Sequence, residues 1–269
     1  MKKLLYHLFT ATALWGLIAC GGKDVKEGGE ADLAFDSIIK DTTVSLTNEI
    51  SSPKAEIHLN IKYATGKNAT VVNDTLLRSG ILTPDYLANC QAKQGVSQAL
   101  DSFLIKYIAD YRNDLGRLYA MDKEHSTSYN IQYLCNTDVH SGRKDVFNYI
   151  AEVYSYAGGA HGISMTIAKN IQKETGKILK LSDVFVPGYE QTLNDLIVEK
   201  FLKKFDVKNL KELQEKGVFV DMEPYVSENF IIKDDEISFI YCDTEIAPHA
   251  MGEITVEIDD KDLKQILKK

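Results

Sequence analysis

The chain lacks most of the patterns that announce a chemistry. No Gly-x-Ser-x-Gly elbow exposes a serine nucleophile, and no glycine spacing fits a dinucleotide or phosphate loop. Beyond the first 19 residues the histidines are His58, His125, His140, His161 and His249, and no two stand at the i, i+4 spacing of a helical zinc site. No cysteine pair has metal-ligand spacing either. These gaps exclude the commonest hydrolase, nucleotide-binding and zinc architectures, so no cofactor or metal is expected and the chain reads as non-catalytic. Tryptophan occurs once, at Trp15. No apolar run elsewhere in the chain approaches the length of a membrane span.

What is present starts at the N-terminus. Lys2 and Lys3 precede an apolar run from Leu4 that ends in Leu17-Ile18-Ala19-Cys20. A charged start, a short apolar middle and small residues before a cysteine form a bacterial lipoprotein signal. The run is too short for the roughly 20 residues of a spanning helix, and His7 and Gly16 interrupt it. Cys20 is therefore expected to carry lipid and to tether the protein to a membrane of the cell envelope. Removal of residues 1–19, which hold two lysines and no acidic residue, moves the formal net charge from −8 to −10. Such a chain repels nucleic acid and anionic wall polymers and attracts basic partners. Trp15 leaves with the signal, so any aromatic platform for sugar falls to tyrosine.

Three cysteines remain after Cys20, namely Cys90, Cys135 and Cys242, and an odd count allows at most one internal disulfide. Around Cys135 the sequence Tyr129-Asn130-Ile131-Gln132-Tyr133-Leu134-Cys135 alternates apolar and amide side chains, which turns Cys135 inward. Three unpaired, buried thiols are expected.

The expected organisation is a signal at 1–19, a flexible Gly- and charge-rich tether at 20–31, an N-terminal α+β domain at 32–162 and a C-terminal α+β domain at 163–269. Residues 55–63 alternate strictly and read as a strand with His58 on its polar face. Between 96 and 118, apolar residues recur every three or four positions from Val96 to Leu118, the stripe of an amphipathic helix. Strands follow at 129–135, 146–156 and 163–171, then a turn at 173–177 and a short strand running into a turn at 178–185. A second helix carries Leu193, Ile197, Phe201 and Phe205, and further strands lie at 230–232, 237–241 and 254–258. Asp260 is positioned to cap a short last helix. Strands outnumber helices without regular alternation, which indicates α+β with mainly antiparallel sheets, helices packed on one face, and two closely packed subdomains.

Two stretches differ from generic core. One runs through Tyr156, Gly158, Gly159, His161 and Gly162, a tyrosine-bearing strand entering three glycines around a histidine. The other holds Glu245, Pro248 and His249 between two strands. Glycines there allow tight turns and close backbone approach, which structural turns and ligand sites both need. His161 and His249 could meet with Asp243 or Glu245 as a metal or acid–base site. Turn histidines bonded to backbone carbonyls are the plainer reading.

The order of these motifs, from Gly158-Gly159-Ala160-His161-Gly162 through Leu181-Ser182-Asp183-Val184-Phe185 to Glu245-Ile246-Ala247-Pro248, resembles a pair of bacterial envelope domains of unknown function. That pair forms the lysozyme-sensing extracytoplasmic region of the anti-sigma factor RsiV and the accessory region of the deacetylase PdaC, and it occurs in single-chain lipoproteins. The resemblance covers nearly all of the mature chain and is sharper after Tyr154. It implies an α+β fold with no catalytic activity of its own. The sigma-binding segment and the deacetylase domain are missing, so only an envelope binding role carries over. The partner implied is lysozyme or a similar basic protein, met by the loops at 158–162 and 245–252. Peptidoglycan or another glycan is the alternative ligand, and a purely structural envelope lipoprotein stands third.

Overall fold

The computed structural model describes residues 31–88 and 95–268. The signal, Cys20, the tether through residue 30, and Cys90 lie outside them. The first sheet has six strands in the order β1 (Ala34–Ser45), β2 (Lys54–Thr65), β3 (Ile131–Ser141), β4 (Val146–Tyr156), β5 (Ile163–Gln172) and β6 (Ile178–Leu179). All neighbours pair antiparallel except β2 and β3, which run parallel. A parallel pair needs a crossover, and this one contains α1 (Ala69–Leu77), α2 (Val96–Asp110) and α3 (Gly116–Met121). After β6 come α4 (Leu181–Val184), α5 (Glu190–Lys204) and α6 (Leu210–Glu215). A three-stranded antiparallel sheet follows, β7 (Phe230–Ile232), β8 (Glu236–Tyr241) and β9 (Ile254–Asp259), and α7 (Asp260–Leu263) comes after it. The class is the expected α+β.

Alternation along the strands decides which side is core. Ile57, Leu59 and Ile61 of β2 and Tyr149, Ala151 and Val153 of β4 turn to one face, where α1 lays Val72 and Leu76 and α2 lays Leu100 and Phe103. A second core joins Leu193, Ile197 and Phe201 of α5 to Phe239, Tyr241 and Val256 of the small sheet. Among the described residues, no helix is long and apolar enough to cross a membrane.

The helical run beginning at Val96 continues to Met121, but through a π-helical turn at Tyr111–Leu115. That turn inserts one residue and shifts the stripe by one position. Leu118, expected in the stripe, is therefore 46% exposed, and Tyr119 takes its place at 3%. Asp260 does not cap the last helix: Asp259 holds the cap position without a side-chain bond, while the Asp260 carboxylate accepts from Arg143 at 2.7 Å. The segment at 178–185 has only two strand residues before the helical turn of α4.

The sheets do not divide at 162/163. β5 pairs along its length with β4, so the changeover between sheets falls between Leu179 and Phe230. Asparagine side chains stitch the two sheets by imitating backbone. Asn170, 1% exposed, donates to the Phe230 carbonyl at 2.8 Å and accepts from the Ile232 amide at 2.9 Å. Asn229 accepts from the Ala168 amide and donates to the Thr166 carbonyl. Cys135 is a free, buried thiol and Cys242 a free, half-buried one. Burial pushes the Cys135 thiol up to about 12.

Candidate binding site

The β4–β5 turn and the β8–β9 connection come together through their histidines. The rings of His161 and His249 stack, with centroids 4.4 Å apart and planes 7° from parallel. Nδ1 of His249 donates to Oδ2 of Asp243 at 2.6 Å. The Asp243 side chain is 6% exposed against 42% for His249, and its Oδ1 is enclosed without a protein hydrogen-bond partner among the described residues. The imidazole is thus oriented from below by a buried carboxylate, in place of the backbone carbonyls expected for turn histidines.

Each loop is built around a close approach. Gly158 has φ of 86°, and a Cβ there would overlap the Ser128 carbonyl oxygen. A Cβ on Gly162 would stand 2.5 Å from the Tyr154 ring, so only glycine lets the chain pass under that tyrosine. The Tyr156 hydroxyl closes the turn by donating to the Gly159 carbonyl at 3.0 Å. Glu245 faces away from the histidines: its carboxylate accepts from the Tyr225 hydroxyl at 2.5 Å and from the Cys242 amide at 2.7 Å. Burial, then this bond, pushes the Tyr225 hydroxyl above its ordinary range. Pro248 lies against Gly217 and leads into the short helical turn His249–Met251.

Of the residues singled out from sequence, His161 and His249 meet directly, Tyr156 and the glycines shape the first loop, and Glu245 and Pro248 hold the second. Beside His161 an open cleft of about 520 Å³ is lined by Lys54, Glu56, Gln132, Tyr154 and Tyr156. Of the strand residues in that cleft only Tyr156 is a sequence candidate, although the amide–apolar alternation around Gln132 carries a signal for the others. Among the described residues, no group of three or more His, Cys, Asp or Glu side chains is placed to hold a metal ion.

His58, expected on a polar strand face, bonds Asp41 through Nδ1 at 2.5 Å and Asn136 through Nε2 at 3.2 Å.

Comparison with known proteins places this architecture among relatives. The chain is 25% identical over 217 residues, 79% of its length, to the peptidoglycan-N-acetylmuramic acid deacetylase PdaC of Bacillus subtilis, and the match takes in 44% of that protein. The chain therefore spans less than half the length of this curated relative. A crystal structure of a DUF3298-family member from Bacteroides fragilis superposes with a TM-score of 0.76 at 25% identity, covering 88% of this chain and 94% of the other. A DUF3298-family protein of Pseudomonas aeruginosa shares the fold at a TM-score of 0.57 and 14% identity, over 88% of this chain and 95% of its own. Residues 182–261, which carry α5, α6, all of β7 to β9 and His249, match the DUF3298 family, described as a protein of unknown function.

Proposed function

We propose that this chain is a lipid-anchored, non-catalytic binding module of the bacterial cell envelope whose partner is lysozyme or a similar basic protein. The observation that carries the reading is the convergence of the two loops: His161 stacked on His249, with Asp243 beneath, makes one preformed surface from two distant segments. Binding residues tend to sit on loops held by a rigid scaffold. The sequence similarity to part of a peptidoglycan deacetylase supports an envelope setting. The formal charge of −10 on the mature chain supports a cationic partner, since electrostatic attraction speeds encounter. The lipoprotein pattern ending at Cys20 supports a membrane tether.

The test is a titration of the purified chain against lysozyme and against peptidoglycan fragments, at low and moderate salt. The expected result is saturable lysozyme binding that weakens with salt and falls at least ten-fold in a His161→Ala/His249→Ala variant. Binding to glycan fragments alone would overturn the protein partner. Stoichiometric metal in the purified protein, lost in the same variant, would overturn the non-catalytic, metal-free reading.

A further inference from the structure

The six-stranded sheet has a second face. Its helices pack on one side only, and on the other the side chains of β2, β3 and β4 are half-buried or exposed along most of their length. The cleft of about 520 Å³ at the Tyr154 end of this face is followed by one of about 490 Å³ between Asn60, Asn136, Asp138 and Glu152. Gln132 and Asn136 lie on the same face of β3, and Glu152 and Tyr154 on the same face of β4, so the two clefts form one trough. From Gln132 to His140 it runs about 26 Å at the rise of an extended strand. The small sheet bounds it where Asn148 and Asn170 are buried beneath Phe230 and Ile232.

We infer that this trough binds a glycan strand free of acidic substituents. Around the apolar side chains of Leu134 and Ile150, the floor carries amides and carboxylates, several of them already oriented by bonds to one another. Gln132 donates to Glu56 at 2.9 Å, and His58 bridges Asp41 and Asn136. Sugar hydroxyls donate and accept at once, so an ordered array of amide donors and carboxylate acceptors suits them. Pre-ordering lowers the entropy lost on binding. Tyr154 and Tyr156 stand at one end as aromatic rings for the apolar faces of sugars. Other occupants fit less well. Asp41, Glu56, Asp138 and Glu152 outweigh Lys54 and Lys62 on this face, which repels nucleic acid and acidic polysaccharide. A protein interface concentrates apolar and aromatic groups and is depleted of charge at its centre, whereas here Leu134 and Ile150 are interspersed with Gln132, Asn136, Asp138 and Glu152.

This site adjoins the loop surface proposed for a basic protein, with His161 and Tyr156 at the shared rim, but its floor lies on β2, β3 and β4, and one experiment resolves the two. The purified chain is titrated with a hexamer of N-acetylglucosamine, with polygalacturonate and with lysozyme, in parallel with a Gln132→Ala/Asn136→Ala variant. Both substituted positions are solvent-accessible, and an unchanged urea midpoint verifies folding. The expected result is saturable binding of the neutral hexamer, weakened at least ten-fold in the variant, with no binding of polygalacturonate. Lysozyme affinity should not change in the variant. Absence of hexamer binding by the folded protein, equal hexamer affinity in the variant, or preference for the acidic glycan would each overturn the inference. Loss of lysozyme affinity in the variant would overturn it too, by giving the face to a protein.

Discussion

The imidazole of His161 lies flat on that of His249, 4.4 Å between centroids. The contact joins the six-stranded sheet to the family-matched segment through side chains that contribute to neither hydrophobic core. It depends on the path of the 158–162 turn, because His161 is itself exposed and its position follows from the backbone around it.

Gly158→Ala should disturb that path more than Gly159→Ala. Both glycines have positive φ, but only at Gly158 would a Cβ meet another group, the Ser128 carbonyl, while Gly159 faces open space. The left-handed conformation alone costs about 1–2 kcal/mol for alanine, and the overlap should raise the Gly158 cost to about 2–4 kcal/mol. Urea unfolding of the two variants measures the difference. Equal midpoints would show that the turn adapts freely.

Asn170→Leu should weaken the joint between the sheets. It keeps the number and branching of the side-chain heavy atoms but leaves the Phe230 carbonyl and Ile232 amide without the partners they have at 2.8 and 2.9 Å. Two buried, unpaired backbone groups cost about 1–3 kcal/mol each, so a loss of about 3 kcal/mol is expected in chemical unfolding. A change under about 0.5 kcal/mol would mean that the joint is held by other contacts.

Leu104→Asp tests the core that the helix stripe marked. Leu104 is 8% exposed in the cluster under the six-stranded sheet. A carboxylate placed among these apolar side chains loses its hydration, and the expected loss is about 4 kcal/mol. An unaltered melting temperature would contradict the burial.

Period was the legible part of this fold. The stripe from Val96 and the alternation at 146–156 gave their elements directly, because one face of each is core and the other solvent. β1 escaped because it is an edge strand with Asp36, Lys40 and Asp41 on it, so its alternation is weak in apolar contrast. α1 escaped because Ala69-Thr70-Val71-Val72 reads as strand, and tertiary contact of Val72 and Leu76 overrides that propensity. The parallel pairing of β2 with β3 is set by the crossover and has no local signature. The two candidate loops were visible as glycine around histidine, and their meeting is a tertiary fact. Sequence offers Asp243 and Glu245 alike as the acidic partner of these histidines, and only burial beside His249 selects Asp243.

Cys20→Ala tests the anchor that the N-terminal pattern implies. Labelled palmitate should enter the wild-type chain in cells and be absent from the variant, which should then fractionate as a soluble protein. Equal labelling of both would remove the lipoprotein assignment.

Alkaline pH should unfold the protein through its buried tyrosines. Tyr133 donates to the Ile81 carbonyl at 2.8 Å and Tyr241 to the Tyr225 carbonyl at 2.6 Å. Both hydroxyls are pushed well above the ordinary range, chiefly by burial. A raised folded value means that the neutral hydroxyl is favoured in the native state. The stability it contributes is therefore complete below the unfolded tyrosine value of about 10 and is lost as pH rises through the folded values. Absorbance at the tyrosinate band, followed alongside far-ultraviolet circular dichroism, should show exposed tyrosines ionising first. The last fraction should appear only together with loss of secondary structure, above about pH 11. Complete ionisation at about pH 10.5 with the dichroism intact would show that Tyr133 and Tyr241 are accessible to solvent in the native state.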